Sequence, residues 1–192
     1  MKISTRLAAV VGVVLAVVAC TGPTAPEGAP EPASGELQFV GDTGYVSINA
    51  PEDWEDITDV IRDEFRIPGA TFELSLQIDG TLFVDASSIN IVSYELGPQD
   101  PSSIIDQSFT TILSLYGVSE SSARRDSVTT STGFTFDRQR FTISDGGFSG
   151  TVITYLGELN GTLWEITASL FNEGQQQEQA AIDAVDSITL AG

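Results

Sequence analysis

The chain has 192 residues, with 27 acidic against eight basic side chains, no histidine and one cysteine. A formal charge of −19 weighs against nucleic-acid binding, which needs bases to neutralise phosphates, and against a polybasic lipid contact. Without histidine, Ser-His-Asp catalysis and the commonest zinc ligand are unavailable.

The first twenty residues, MKISTRLAAVVGVVLAVVAC, place Lys2 and Arg6 before an apolar run at 7–18 and end at the only cysteine, Cys20. This is the layout of a secretory signal, too short and wrongly flanked for a comfortable membrane span. Val17-Val18-Ala19-Cys20 resembles a bacterial lipobox, which implies a signal peptide at 1–19 and diacylglycerol on Cys20, with further acylation such as palmitate. Two acyl chains suffice for stable anchoring. The expected location is the cell membrane, lipid-anchored on the extracytoplasmic face. An uncleaved anchor helix and a plain secretory signal are the alternatives. Removing Lys2 and Arg6 leaves six arginines against 27 acids, a charge of −21. Solubility explains that charge more simply than calcium does, since no loop of alternating acids around a central glycine is present.

Residues 20–35 hold the lipidated cysteine and a Pro/Ala/Gly-rich stretch that reads as a tether, and 36–192 suit one domain. Alternation predicts a strand over 44–49 (GYVSIN), broken at Pro51. Ile57, Val60, Ile61 and Phe65 suit a short helix within 55–65, ended by Pro68-Gly69. Residues 71–78 (TFELSLQI) form a half-buried strand, Asp79-Gly80 a hairpin turn, 82–85 the start of a return strand, and 87–96 a second clear strand.

Asp100-Pro101 opens the best helix, with Ile105, Phe109, Ile112, Leu113 and Tyr116 on one stripe and Gly117 placed to end it. Four strands then follow, over 121–130, 134–143, 148–156 and 163–171, with turns at Thr132-Gly133, Asp145-Gly146-Gly147 and Asn160-Gly161. Asn172 is placed to cap a final helix over 173–187. The class is α+β, an antiparallel sheet with helices packed on it.

Three stretches resemble the PsbP-like fold, including the actinobacterial LpqN-type lipoproteins. They are Tyr45-Val46-Ser47-Ile48 running into Pro51-Glu52-Asp53-Trp54; Ser88-Ile89-Asn90-Ile91-Val92; and Leu163-Trp164-Glu165-Ile166-Thr167 before the final helix and Asp186-Ser187-Ile188. The resemblance implies an α/β/α sandwich with a central antiparallel sheet over most of 36–192. It also implies a binding or assembly role in place of catalysis.

No catalytic residue, cofactor or metal is expected. Lysine is absent beyond the signal, and an acylated Cys20 is no nucleophile. Gly147-Phe148-Ser149-Gly150 misses the spacing and context of a nucleophile elbow. Asn160-Gly161-Thr162 fits a glycosylation sequon but is explained by its turn. Possible binding residues are Trp54, as core or exposed anchor, and Arg138 and Arg140, which share a face as an anion clamp or as ion pairs. The expected function is a non-enzymatic binding or assembly module whose partner is an envelope protein or small ligand. The alternatives are a hydrolase of cell-wall polymers using paired carboxylates, and a calcium-dependent module.

Overall fold

The computed structural model describes residues 23–78, 87–145, 148–171 and 174–191. Cys20, the Asp79-Gly80 turn, the return strand at 82–85, Gly146-Gly147 and the Asn172 cap lie outside these residues.

The centre is a seven-stranded antiparallel sheet in the order β3-β4-β5-β9-β8-β7-β6. Its strands are β3 (Trp54–Asp56), β4 (Ala70–Ile78), β5 (Ser87–Glu95), β6 (Arg124–Thr129), β7 (Thr135–Asp145), β8 (Phe148–Leu159) and β9 (Thr162–Phe171). The last four form the expected meander, with β8 and β9 joined through Asn160 (φ 52°) and Gly161 (φ 82°). A type I′ turn, whose twist matches its strands, requires positive φ at both positions, which Asn-Gly supplies.

Alternation along β9 divides the core in two. Trp164, Ile166, Ala168 and Leu170 enter one large cluster with Leu74, Leu76, Ile89, Ile91, Ile153 and Phe136. This face is covered by α3 (Gln175–Asp186), through Ala181, Ala184 and Val185, and by a three-stranded sheet ordered β1-β2-β10. Those strands are β1 (Glu36–Val40), β2 (Val46–Pro51) and β10 (Thr189–Leu190). On the opposite face lies α2 (Pro101–Leu115), whose Ile105, Phe109, Ile112 and Leu113 meet Leu96, Phe141, Val152, Leu156 and Leu163. The result is an α/β/α sandwich.

Helix α2 is defined locally at both ends. The Asp100 carboxylate accepts from the Ser103 N–H at 3.0 Å, with Pro101 in the first turn. Beyond the other end Gly117 takes φ 65°, so its own N–H reaches the Ser114 carbonyl (3.2 Å) and that of Val118 the Leu113 carbonyl (2.9 Å). This pair of bonds satisfies carbonyls that the helix end leaves open.

Three expectations are corrected. The helix within 55–65 is shorter, α1 (Thr58–Glu64), because Glu55 and Asp56 extend β3 along β4. Its expected apolar stripe is not a buried one: Thr58 is its buried residue, held by Asp56, while Val60 and Phe65 are exposed. The strand expected over 121–130 begins with a short 3-10 turn at Glu120–Ser122. The final helix, expected over 173–187, runs over Gln175–Asp186, with Gly174 as its cap residue and no side-chain cap bond.

The segment read as a tether is pinned over its second half. Pro26 is buried, the Pro30 carbonyl accepts from the side-chain amides of Gln38 (3.1 Å) and Asn49 (3.2 Å), and the Gly35 carbonyl accepts from Glu52 N–H (3.0 Å). Among the described residues no helix is long and apolar enough to cross a membrane.

Candidate functional site

The residues singled out from sequence do not converge. Trp54 is 5% exposed and fills the core beside Ile78 at the sheet edge. Arg138 makes a two-pronged pair with Asp126 (2.8 and 2.5 Å) on the neighbouring strand β6, which holds the Asp126 carboxyl below its ordinary range. Arg140, on the same face of β7, binds both carboxylate oxygens of Glu178 on α3 (2.6 and 2.9 Å). Both guanidiniums are therefore engaged by acids. Among the described residues no group of three or more His, Cys, Asp or Glu could hold a metal ion.

Two concavities lie on opposite sides of the large sheet and share the end of β5. The first is a groove of about 470 Å³ between α2 and the sheet. Its walls are mostly apolar, from Leu96, Leu163, Ile104, Ile112, Leu115 and Ile67. Leu115 is 79% and Ile67 44% exposed, so the rim offers unburied hydrocarbon. The volume falls within the roughly 300–1,000 Å³ usual for ligand sites.

On the sheet side of this groove stands a hydrogen-bonded polar pair. Strand register sets Val92 opposite Glu165 and Tyr94 one step along on the same face, and the Tyr94 hydroxyl donates to Glu165 Oε2 at 3.4 Å. Apolar surroundings push the Glu165 carboxyl above its ordinary value, against the opposing effect of hydrogen bonds from Tyr94 and Thr167. Burial, and then the Glu165 charge, pushes the Tyr94 phenol up, so it remains a donor. Glu95 also lines the groove but is exposed and belongs by alternation to the other face of β5. The groove thus presents one inward carboxyl, where paired-carboxylate hydrolysis requires two.

The second concavity, about 820 Å³, opens between the two sheets and is lined by Thr43, Tyr45, Glu73, Ser93, Trp164 and Asn160 among others. The bulge in β4 between Phe72 and Leu74 leaves Glu73 unpaired in the ladder. Its carboxylate, on a residue 3% exposed, accepts from Thr43 Oγ1 (2.5 Å) and Ser93 Oγ (2.7 Å).

None of Glu73, Tyr94, Trp164 and Glu165 was singled out from sequence. The available signal was an acid embedded in an apolar strand, TFELSLQI for Glu73 and LWEITASLF for Glu165.

No family model and no curated protein matches the sequence. Similarity is found among solved structures. The solution structure of cyanobacterial PsbP from Synechocystis is 8% identical at a TM-score of 0.53, over 83% of this chain and 94% of that one. A crystal structure from Bacteroides thetaiotaomicron is 11% identical at 0.53, over 82% of this chain, which spans about half (49%) of that protein. LpqN of Mycobacterium tuberculosis, described as involved in cell envelope biogenesis, is 13% identical at 0.47, over 82% and 92%. The fold is PsbP-like: a large antiparallel sheet with three helices.

Proposed function

We propose that this chain is a non-catalytic binding module, held at the extracytoplasmic face of the cell membrane by an acylated Cys20, and that the groove under α2 is its ligand site. The observation that carries the reading is the groove itself, an open and mostly apolar trough with a part-buried hydrogen-bonding pair, Tyr94 and Glu165, in its sheet wall and the polar side chains Gln107, Ser108 and Thr111 on its α2 side. Such a site suits a neutral amphiphile. The hydrocarbon would lie along Leu163, Ile104 and Ile112, and a hydroxyl or amide would meet the Tyr94–Glu165 pair. An anionic head is disfavoured, because Glu165 and Glu95 line the groove and no arginine does.

Photolabelling tests this in membranes containing the full chain. A long-chain alcohol bearing a diazirine is expected to label peptides of α2 and of β9 around Leu163, and Leu115→Asp is expected to reduce that labelling several-fold. Labelling spread evenly over the surface, unchanged in the variant, would remove the groove as the site. Intact mass measurement of the same samples tests the anchor. A diacylglyceryl mass on a chain beginning at Cys20 and absent from Cys20→Ala is expected; an unmodified chain would refute it.

A further inference from the structure

We infer that the cleft between the two sheets, on the far side of the large sheet from the groove, binds a small organic ammonium ion carrying a nearby hydroxyl. Two independent observations meet there. The first is Glu73, whose carboxylate is buried and, among the described residues, receives two neutral hydroxyls, from Thr43 and Ser93. Among the described residues no arginine pairs with it: Arg62 is bonded to the Phe72 carbonyl, Asp42 and Asp59, and Arg66, the nearest in sequence, makes no ion pair with it. Buried carboxylates in folded proteins are as a rule matched by a cation. None of the residues lining the cleft is basic, and Glu95 adds a second negative charge at its rim.

The second observation is Trp164. It is 3% exposed and lines the same cleft, and its indole N–H is buried without an acceptor. Strand pairing sets Trp164 directly opposite Ser93, the residue that donates to Glu73. A buried donor and a buried acceptor without a cation thus stand on β9 and β4, the two strands that flank β5, and both residues line the cleft. A ligand that satisfies both must carry a positive donor for Glu73 and an acceptor oxygen for Trp164. Tyr45, 57% exposed, adds aromatic surface that favours a cation. A bare divalent ion fits less well, since among the described residues of the lining Glu73 is the one buried carboxylate.

The chain holds two tryptophans, so its nitrogen–proton correlation spectrum contains two indole signals, which Trp54→Phe assigns. The full processed chain in maltoside micelles would be titrated with ethanolamine, with N-acetylethanolamine, and with sodium chloride at matched ionic strength. Saturable movement of the Trp164 indole signal is expected with ethanolamine. Binding at least about tenfold weaker is expected for N-acetylethanolamine, and for ethanolamine with Glu73→Gln, since a hydrogen bond to a charged group is lost. Equal response to the amine and its acetyl form would overturn the ammonium assignment. Equal movement with salt alone, or none at all, would overturn the site. Should Glu73→Gln fail to fold, the wild-type comparison of the two ethanolamines decides alone.

Discussion

Glu165 holds a carboxyl in the middle of a strand whose neighbours are Trp164 and Ile166, and that placement has a measurable consequence. Its proton is held more tightly in the folded chain than in the unfolded one, where the ordinary value is 4.5. The native state therefore binds more protons, and stability falls as pH rises from the ordinary value through the raised one, then stays level above both. Glu165→Gln removes this loss. In urea unfolding the variant is expected to exceed wild type at about pH 8 and to converge with it towards about pH 4; a variant less stable at the higher pH would contradict the assignment. Asp126 has the opposite sign. Its carboxyl is lowered by Arg138, so its contribution is present above the ordinary value and lost as pH falls through the lowered one. Asp126 is more than half exposed, which screens the pair and keeps the contribution under about 1 kcal/mol. The sequence shows which side chains are acidic, but not which of the 27 acids face hydrocarbon. That depends on which strand face α2 covers, a tertiary fact. Arg138 and Arg140 were legible as face-sharing residues for the converse reason, since period-two alternation needs only the strand itself.

At the scale of elements, legibility follows how local the determinants are. Helix α2 carries its cap, its proline, its stripe and its terminating glycine within its own sequence, and it forms where expected. Asp100→Ala is expected to lower stability by about 1 kcal/mol, read as a shift in the urea midpoint, by orphaning the Ser103 N–H. No shift would mean that the cap contributes nothing in this context. The meander is equally legible, because turns such as Asn160-Gly161 and alternating strands specify one another. Strands β1, β3 and β10 had no such signature. They span five, three and two residues and exist because partners across the fold supply their hydrogen bonds. The β4 bulge is illegible for a related reason: TFELSLQI shows an acid among apolar residues, but that Glu73 is the extra residue is defined by the register of β5.

For the whole molecule, the sandwich presents two recesses of different character on opposite faces of one sheet, an apolar groove under α2 and a polar, acidic cleft beneath the small sheet. The Pro30 carbonyl is bonded to the small sheet through Gln38 and Asn49, and Pro26 is buried. The six residues from Cys20 to Pro26 reach about 20 Å at full extension. An acyl anchor at Cys20 would therefore keep the domain close to the bilayer surface, within reach of the amphiphiles that suit the groove.

Methyl-resolved NMR of residues 21–192, titrated with a medium-chain alcohol, tests the groove most directly. The account predicts that methyl signals of Ile104, Ile112, Leu115 and Leu163 shift together and saturate. Signals of Ile48, Leu76 and Ile153, in the core on the other face, should stay in place. Shifts centred on those core residues, or no saturable shift in the groove, would contradict it.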